Sequence, residues 1–223
     1  MKVRPHGREL RVGGTSASWY QPGRLLTGSV WDALAVPLVA LPARSRRQLL
    51  ILGLGGGSAA HLLRAAAPEA RIVGVELEEK VVTLARRHFE LDRLSLEIQI
   101  EDASAFLERD AGGWDFILED CFIGVDGDLG KPAWFLEHGV EACADRLAPG
   151  GVFVVDTIHE SGLLCAQMRD RFAHVVGIRL EDCTNHVLVG TDRELDASSL
   201  RAAVKAHPLL SDALGNLRFR TLT

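Results

Sequence analysis

From Leu49 onward the apolar residues of the chain fall in short runs, and each run is followed by a stretch in which they recur every three or four positions. The first rhythm is that of a strand buried on both faces, the second that of an amphipathic helix. Strands are predicted at Leu49 to Leu54, Arg71 to Glu76, Ser95 to Ile100, Asp115 to Glu119 and Gly151 to Asp156, with helices between them. Such alternation builds a parallel sheet covered by helices on both faces. In the helix after the second strand, "EEKVVTLARRHFEL", a stripe of Val81, Leu84, Ala85, His88 and Phe89 opposes the charges, with His88 at its boundary.

The pattern changes at both ends. After the helix "SGLLCAQMRDRF" two β-runs, "HVVGIRL" and "NHVLVG", are joined only by "EDCT", which suits an antiparallel pair. "ASSLRAAVKAH" reads as a surface helix. Ahead of the sheet, "ELRVGG" and "SASWYQPG" predict a β-hairpin, with a helix from about Ser29. The expected organisation is a hairpin extension over residues 1–28 and an α/β domain over 29–223, whose sheet has five parallel strands and a terminal antiparallel hairpin.

Composition narrows the function classes. Of 223 residues 47% are hydrophobic and 25% charged, as in a globular domain with a sizeable core. The net charge of -5 argues against general nucleic-acid binding, although the first 47 residues carry eight Lys or Arg against Glu9 and Asp32. That basic arm reads either as a contact surface or as a solvated face. Cys121, Cys143, Cys165 and Cys183 lie too far apart for a zinc motif or a disulfide framework, so buried reduced thiols in a cytoplasmic protein are expected, with no metal. The start "MKVRPHGREL" has no apolar core, and "VWDALAVPLVAL" is short and broken by proline, so neither membrane insertion nor export is expected.

Chemistry enters at "LLILGLGGGSAAHLL". Glycines at 53, 55, 56 and 57 let the chain bend sharply at the end of a strand and let a ligand approach the backbone, while the next helix directs its positive end at that ligand. Glycine also serves tight strand-helix packing, so the loop alone is a weak sign. Glu76 ends the second strand about twenty residues on, where a carboxylate can accept both ribose hydroxyls. Asp102, in "QIEDASAFL", can cap the following helix and can equally accept an adenine amine, with the N–H of Ala103 facing the ring. "DRLAPGGVFVVDT" places a Pro-Gly-Gly turn directly before the fifth strand. A nicotinamide-binding Rossmann domain shares the glycines and the acid, yet calls for neither the last two features together nor the final hairpin.

In this order the glycine loop, Glu76, Asp102, "DFILEDCF" and "LAPGGVFVV" resemble class I S-adenosylmethionine-dependent methyltransferases, and more narrowly their spermidine-synthase-like branch, over roughly residues 27–190. The resemblance implies a Rossmann-like sheet and an adenosyl-sulfonium cofactor. Gly53, Gly55, Gly56, Gly57 and Ser58 would lie against its methionine or aminopropyl part, Glu76 at its ribose, Asp102 and Ala103 at its adenine, and Asp120 at the reacting end, with Leu77 as a further cofactor-binding residue. Relatives of the branch commonly pair, so a homodimer is one expected assembly.

Departures from the branch suggest which reaction is run. Aminopropyltransferases usually read G-G-G-D-G at the loop, where this chain has Ser58, and D-S-S-D after the fourth strand, where it has Asp120-Cys121-Phe122-Ile123. Their Tyr-x-Glu element has at best Trp31-Asp32-Ala33 as a counterpart. S-adenosylmethionine carries a carboxylate that its decarboxylated form lacks, and an acid about 4 Å away would oppose it by roughly 4 kcal/mol at an effective dielectric of 20, about a thousandfold in affinity. Ser58 imposes no such penalty and can donate to that carboxylate. The expectation is therefore methyl transfer to an amine or hydroxyl of a small molecule or a protein. The alternatives are aminopropyl transfer from decarboxylated S-adenosylmethionine and a non-catalytic nucleoside-binding domain.

Around that centre, Asp120 would anchor the cofactor's amino group or orient an acceptor amine. The glycine-rich run Cys121 to Pro132 can act as a lid, with Asp126 and Asp128 either attracting a cationic acceptor or forming a solvated turn. In "DTIHE", His159 can serve as a general base or sit at a helix entry. Trp19, Tyr20 and Trp31 wall the acceptor pocket or pack in the core.

Overall fold

The computed structural model describes residues 2–4, 7–125, 128–181 and 183–222. Asp126 and Asp182, in the expected lid and in the "EDCT" link, lie outside the described residues. Strands β1 (Lys2–Arg4), β2 (Gly7–Val12) and β3 (Thr15–Tyr20) form a small antiparallel sheet. Helix α1 (Val30–Ala35) follows, and then the alternating region begins. It runs β4 (Gln48–Leu52), α2 (Ser58–Ala66), β5 (Arg71–Glu76), α3 (Glu79–His88), β6 (Glu97–Ile100), α4 (Ala103–Arg109) and β7 (Trp114–Glu119).

A two-stranded ribbon, β8 (Ile123–Val125) and β9 (Asp128–Gly130), interrupts the alternation. Helix α5 (Val140–Ala144), β10 (Leu147–Thr157), α6 (Ser161–Arg171), β11 (His174–Leu180), β12 (His186–Thr191), α7 (Ala197–Ala206) and β13 (Leu217–Thr221) complete the chain.

The eight-stranded sheet has the order β13-β11-β12-β10-β7-β4-β5-β6. The five strands from β10 to β6 are parallel, and β12, β11 and β13 join antiparallel, as the short "EDCT" link requires. Strand β13 adds a third antiparallel strand to the expected pair. From β4 the chain winds outward through β5 and β6, then returns to the other side of β4 as β7. That reversal opens a crevice at the carboxyl ends of β4 and β7, the place where open α/β sheets bind ligands.

Alternation along each strand divides the core in two. Leu49, Ile51, Phe116, Leu118, Val152 and Val154 face α1, α2 and α7, while Leu50, Leu52, Ile117, Phe153 and Val155 face α4, α5 and α6. The same period fixes what stands beyond the last apolar residues. Glu119 continues the second face, and Asp120 and Asp156 continue the first. Among the described residues no helix is long and apolar enough to cross a membrane.

Candidate active site

The turn between β4 and α2 is built by its glycines. Gly53 has φ of +84°, and a Cβ there would stand 2.6 Å from the Asp120 carbonyl oxygen. Gly57, at φ +85°, is the N-cap of α2, where a Cβ would meet Leu91 at 2.6 Å. Side-chain-bearing residues are therefore excluded at both by strain and by space. Gly55 N–H donates to Glu76 Oε2 at 2.8 Å, and Gly56 N–H donates to Ser18 Oγ at 2.6 Å. The first bond ties the turn to the end of β5, and the second ties it to the N-terminal hairpin.

Glu76 accepts a second N–H, from Glu78 at 3.0 Å, on its other oxygen. Burial pushes its carboxyl up, against the pull of these two bonds. Leu77 (58% exposed) and Ile100 (49% exposed) stand beyond β5 and at the end of β6, where Glu76 pairs with Ile100. Two large apolar side chains left open beside a carboxylate suit a flat aromatic ligand. Asp102 caps α4: its Oδ1 accepts from Ser104 N–H at 2.8 Å and Ala105 N–H at 3.3 Å, and also from the Ser104 hydroxyl. The Ser104 hydroxyl is the main cause that lowers the Asp102 carboxyl. Every one of these bonds falls on Oδ1, so Oδ2 can serve a ligand while the cap stands.

Beyond the ends of β7 and β10 lies a buried charged cluster. Lys131 Nζ, from the segment after β9, reaches Glu119 Oε2 at 2.5 Å and the Cys121 carbonyl at 3.1 Å, with both charged side chains fully buried. Burial disfavours the Lys131 ammonium, but Glu119 first, then Asp156 and Asp120, outweigh it and hold it charged. Because Val155 is in register with Glu119, Asp156 and Asp120 occupy the next positions on one face. Asp120 is partly exposed, whereas Asp156 is 1% exposed.

Burial, and then the charge of Asp156, push the Asp120 carboxyl well up. Burial pushes Asp156 up to about 7, against the pull of Lys131. Like charges on neighbouring carboxylates repel, so the two groups hold a proton more firmly than either would alone.

The rim is closed from two sides. Gly13, at the tip of the β2-β3 hairpin, comes so near the β8-β9 ribbon that a Cβ on it would stand 2.8 Å from the Gly124 carbonyl oxygen. Glu160 accepts N–H bonds from Lys131 at 2.9 Å and from Ile158 and His159 at 3.1 Å, latching the ribbon's exit to the end of β10. His159 itself is exposed on the bend after β10, while Asp156, three positions earlier, is buried. Asp128 is exposed as well, in the ribbon.

No family model matches the chain. A probable polyamine aminopropyl transferase of Bifidobacterium longum is 32% identical over 77% of this chain and 38% of its own length. An eEF1A lysine and N-terminal methyltransferase homolog of Drosophila pseudoobscura pseudoobscura is 29% identical over 72% of this chain and 25% of its own. Among solved structures, a probable spermidine synthase from Corynebacterium glutamicum shares the fold with a TM-score of 0.75 and 22% identity, over 97% of this chain and 83% of that one. Human methyltransferase-like protein 13, solved with SAH, shares it with a TM-score of 0.68 and 22% identity, over 85% and 93%. The chain's relatives and structural neighbours are thus spermidine-synthase-like proteins and S-adenosylmethionine-dependent methyltransferases, and the chain shares the Rossmann-like fold of those neighbours. It spans between a quarter and two fifths of the length of these two curated relatives.

One expectation about the site is corrected. Ser58 is 3% exposed, and its hydroxyl donates to the Trp19 carbonyl and accepts the Trp19 N–H, each at 2.8 Å. It is committed to the hairpin above it and does not present itself to a ligand's carboxylate. Asp32, in the weak counterpart of the Tyr-x-Glu element, closes the turn into α1: its oxygens take Thr27 N–H at 2.8 Å, Thr27 Oγ1 at 2.7 Å and Gly28 N–H at 2.7 Å. Trp31 is a core residue at 7% exposure. Trp19 and Tyr20, the latter stacked on His61 at 4.9 Å, help line a small cavity of about 40 Å³. A larger cleft of about 370 Å³, lined by Arg24, Leu26, Asp32, Leu180, Asp212 and Leu217 among others, shares no residue with the glycine turn or the acid cluster.

Sequence reasoning missed Glu119, Lys131, Asp156 and Ser18. A signal for Asp156 was present: "FILED" and "FVVD" both end in acids, and these two neighbouring parallel strands bring their ends together.

Proposed function

We propose that the chain binds S-adenosylmethionine at the glycine turn and transfers its methyl group to an amine or hydroxyl of a small molecule or protein. The observation that carries this reading is the arrangement of Glu76 against Gly55 N–H, with no acid at position 58, where an aminopropyltransferase would carry one. Ser58 supports the full cofactor only by being neutral, since its hydroxyl is turned to Trp19. The residues present fit the nucleoside. Glu76 would hold the ribose through its remaining lone pairs, Leu77 and Ile100 would flank the adenine, Asp102 Oδ2 would accept its amine, and Asp120 would meet the tail's ammonium.

The cofactor supplies a methyl group activated by a sulfonium. The chain's own part is to hold the acceptor atom in line with that methyl, to keep water out beneath the hairpin tip and ribbon, and to accept a cationic group at Asp120. Names of relatives that include both a methyltransferase and an aminopropyl transferase support a transferase of this group. Aminopropyl transfer from the decarboxylated cofactor stays as a second reading because Asp156 supplies another acid beside Asp120. Incubation with methyl-labelled S-adenosylmethionine and panels of polyamines, peptides and small hydroxylated acceptors tests the proposal. Label appearing in an acceptor is the expected result. Binding without transfer to any of them would favour a nucleoside-binding domain without catalysis.

A further inference from the structure

In the buried cluster at the ends of β7 and β10 three carboxyl groups face one ammonium. Lys131 is matched to Glu119 through a direct ion pair, with the Cys121 carbonyl as its second partner. Asp120 and Asp156 remain. Asp156 Oδ2 accepts from Asn185 Nδ2 at 2.6 Å, and Asn185 Oδ1 accepts in turn from the Cys183 thiol at 2.9 Å. Asp156 Oδ1, by contrast, is buried without a hydrogen-bond partner. A buried oxygen left in that state is expected to be protonated, or to share a neighbour's proton, because desolvation without a partner is costly. Asp120 is the neighbour at the next register position on the same face, and it is also the member of the pair that is partly exposed.

We infer that Asp156 is a positioning residue that makes Asp120 a proton-releasing receptor: an ammonium group of the cofactor's tail, seated at Asp120, expels the proton the two carboxyl groups share. This rests on the proposed cofactor. Before binding, Glu119 and Lys131 cancel, and the pair carries one negative charge with its proton. A ligand ammonium brings a positive charge to the exposed side of Asp120 and does the same electrostatic work, so the proton leaves for solvent and the pair ends with two negative charges facing Lys131 and the ligand. No bond other than O–H is broken. A neutral nucleoside lacking the tail has nothing with which to displace the proton. Affinity for the charged ligand then rises with pH until the empty pair has lost its proton unaided.

Calorimetric titration of the full chain with S-adenosylhomocysteine, in buffers of different ionisation enthalpy at neutral pH, reads the released proton directly. The expected result is proton release on binding, with affinity that rises with pH by up to about tenfold per pH unit for each proton released. Adenosine, with no ammonium, should bind without release. The variant Asp156→Asn keeps an oxygen for Asn185 and should bind S-adenosylhomocysteine with no proton release and a flat pH profile. A merely structural Asp156 would leave the proton count of a folded variant unchanged. Binding to the unmodified chain without release, or release that persists in Asp156→Asn, overturns this inference alone. Failure of S-adenosylhomocysteine to bind at all overturns the cofactor reading together with it.

Discussion

Ser58 and Trp19 are joined by a reciprocal pair of hydrogen bonds, hydroxyl to carbonyl and N–H to hydroxyl, each 2.8 Å long. Together with the bond from Gly56 N–H to Ser18 Oγ, they press the N-terminal hairpin onto the turn between β4 and α2. Position 58 therefore acts on the site through the hairpin above it, and its chemistry toward a ligand is that of a missing acid.

Replacing Ser58 with alanine should accordingly cost stability rather than change cofactor preference. Two polar groups of Trp19 lose their partner, and a loss of about 1 to 3 kcal/mol is expected in urea unfolding. The ratio of affinities for S-adenosylmethionine and its decarboxylated form should stay as in the unmodified chain. A changed ratio with unchanged stability would show that the hydroxyl faces the ligand.

Glu76 gives the opposite pattern. In Glu76→Gln the bond from Gly55 N–H can persist, but the charge offered to the ribose is gone, so adenosyl compounds should bind about ten- to a hundredfold more weakly. Titration with S-adenosylhomocysteine measures this, and an unchanged affinity would place the ribose elsewhere.

Lys131→Met should be among the most damaging single changes. It strands Glu119 as a fully buried, unpaired carboxylate, and removal of one member of a buried ion pair costs about 3 to 5 kcal/mol. The double variant Lys131→Met with Glu119→Leu should recover much of the loss, because two apolar side chains need no partner. Chemical unfolding of both variants decides it.

The acid pair also predicts how the ligand-free protein responds to pH. Burial raises both carboxyls, Asp156 to about 7, so between about pH 4 and pH 7 the folded chain keeps a proton that the unfolded chain has released. Unfolding free energy from this source therefore falls as pH rises through that window, by up to about 1.4 kcal/mol per pH unit for each such proton. Asp156→Asn should flatten the decline. Melting temperatures of the two proteins across this range provide the check.

Much of this architecture was legible because β4, β5, β7 and β10 are near-continuous apolar runs ended by glycine or an acid, a pattern with few alternatives in a sheet covered on both sides. Strand β6 starts at Glu97 rather than Ser95, since Ser95 adopts φ of +50° before the chain can extend. Strand β13 was hidden: "LRFRT" buries only Leu217 fully, and its partner β11 lies far back in the chain. The ribbon of β8 and β9 was read only as a glycine-rich lid because its strands are three residues each.

At the site, turn glycines and strand-end acids announce themselves by position. The bond between Ser58 and Trp19 spans 39 residues, and the pairing of Lys131 with Glu119 closes through an irregular segment, so no local rhythm encodes either.

Direct competition between the two cofactor forms bears most closely on the central claim, that this nucleoside site accepts an anionic amino-acid tail. Calorimetric titration with S-adenosylmethionine and with its decarboxylated form, under identical conditions, should show tighter binding of the carboxylated compound. Tighter binding of the decarboxylated form, together with an aminopropyl adduct in the mass spectrum of an acceptor amine, would contradict the account.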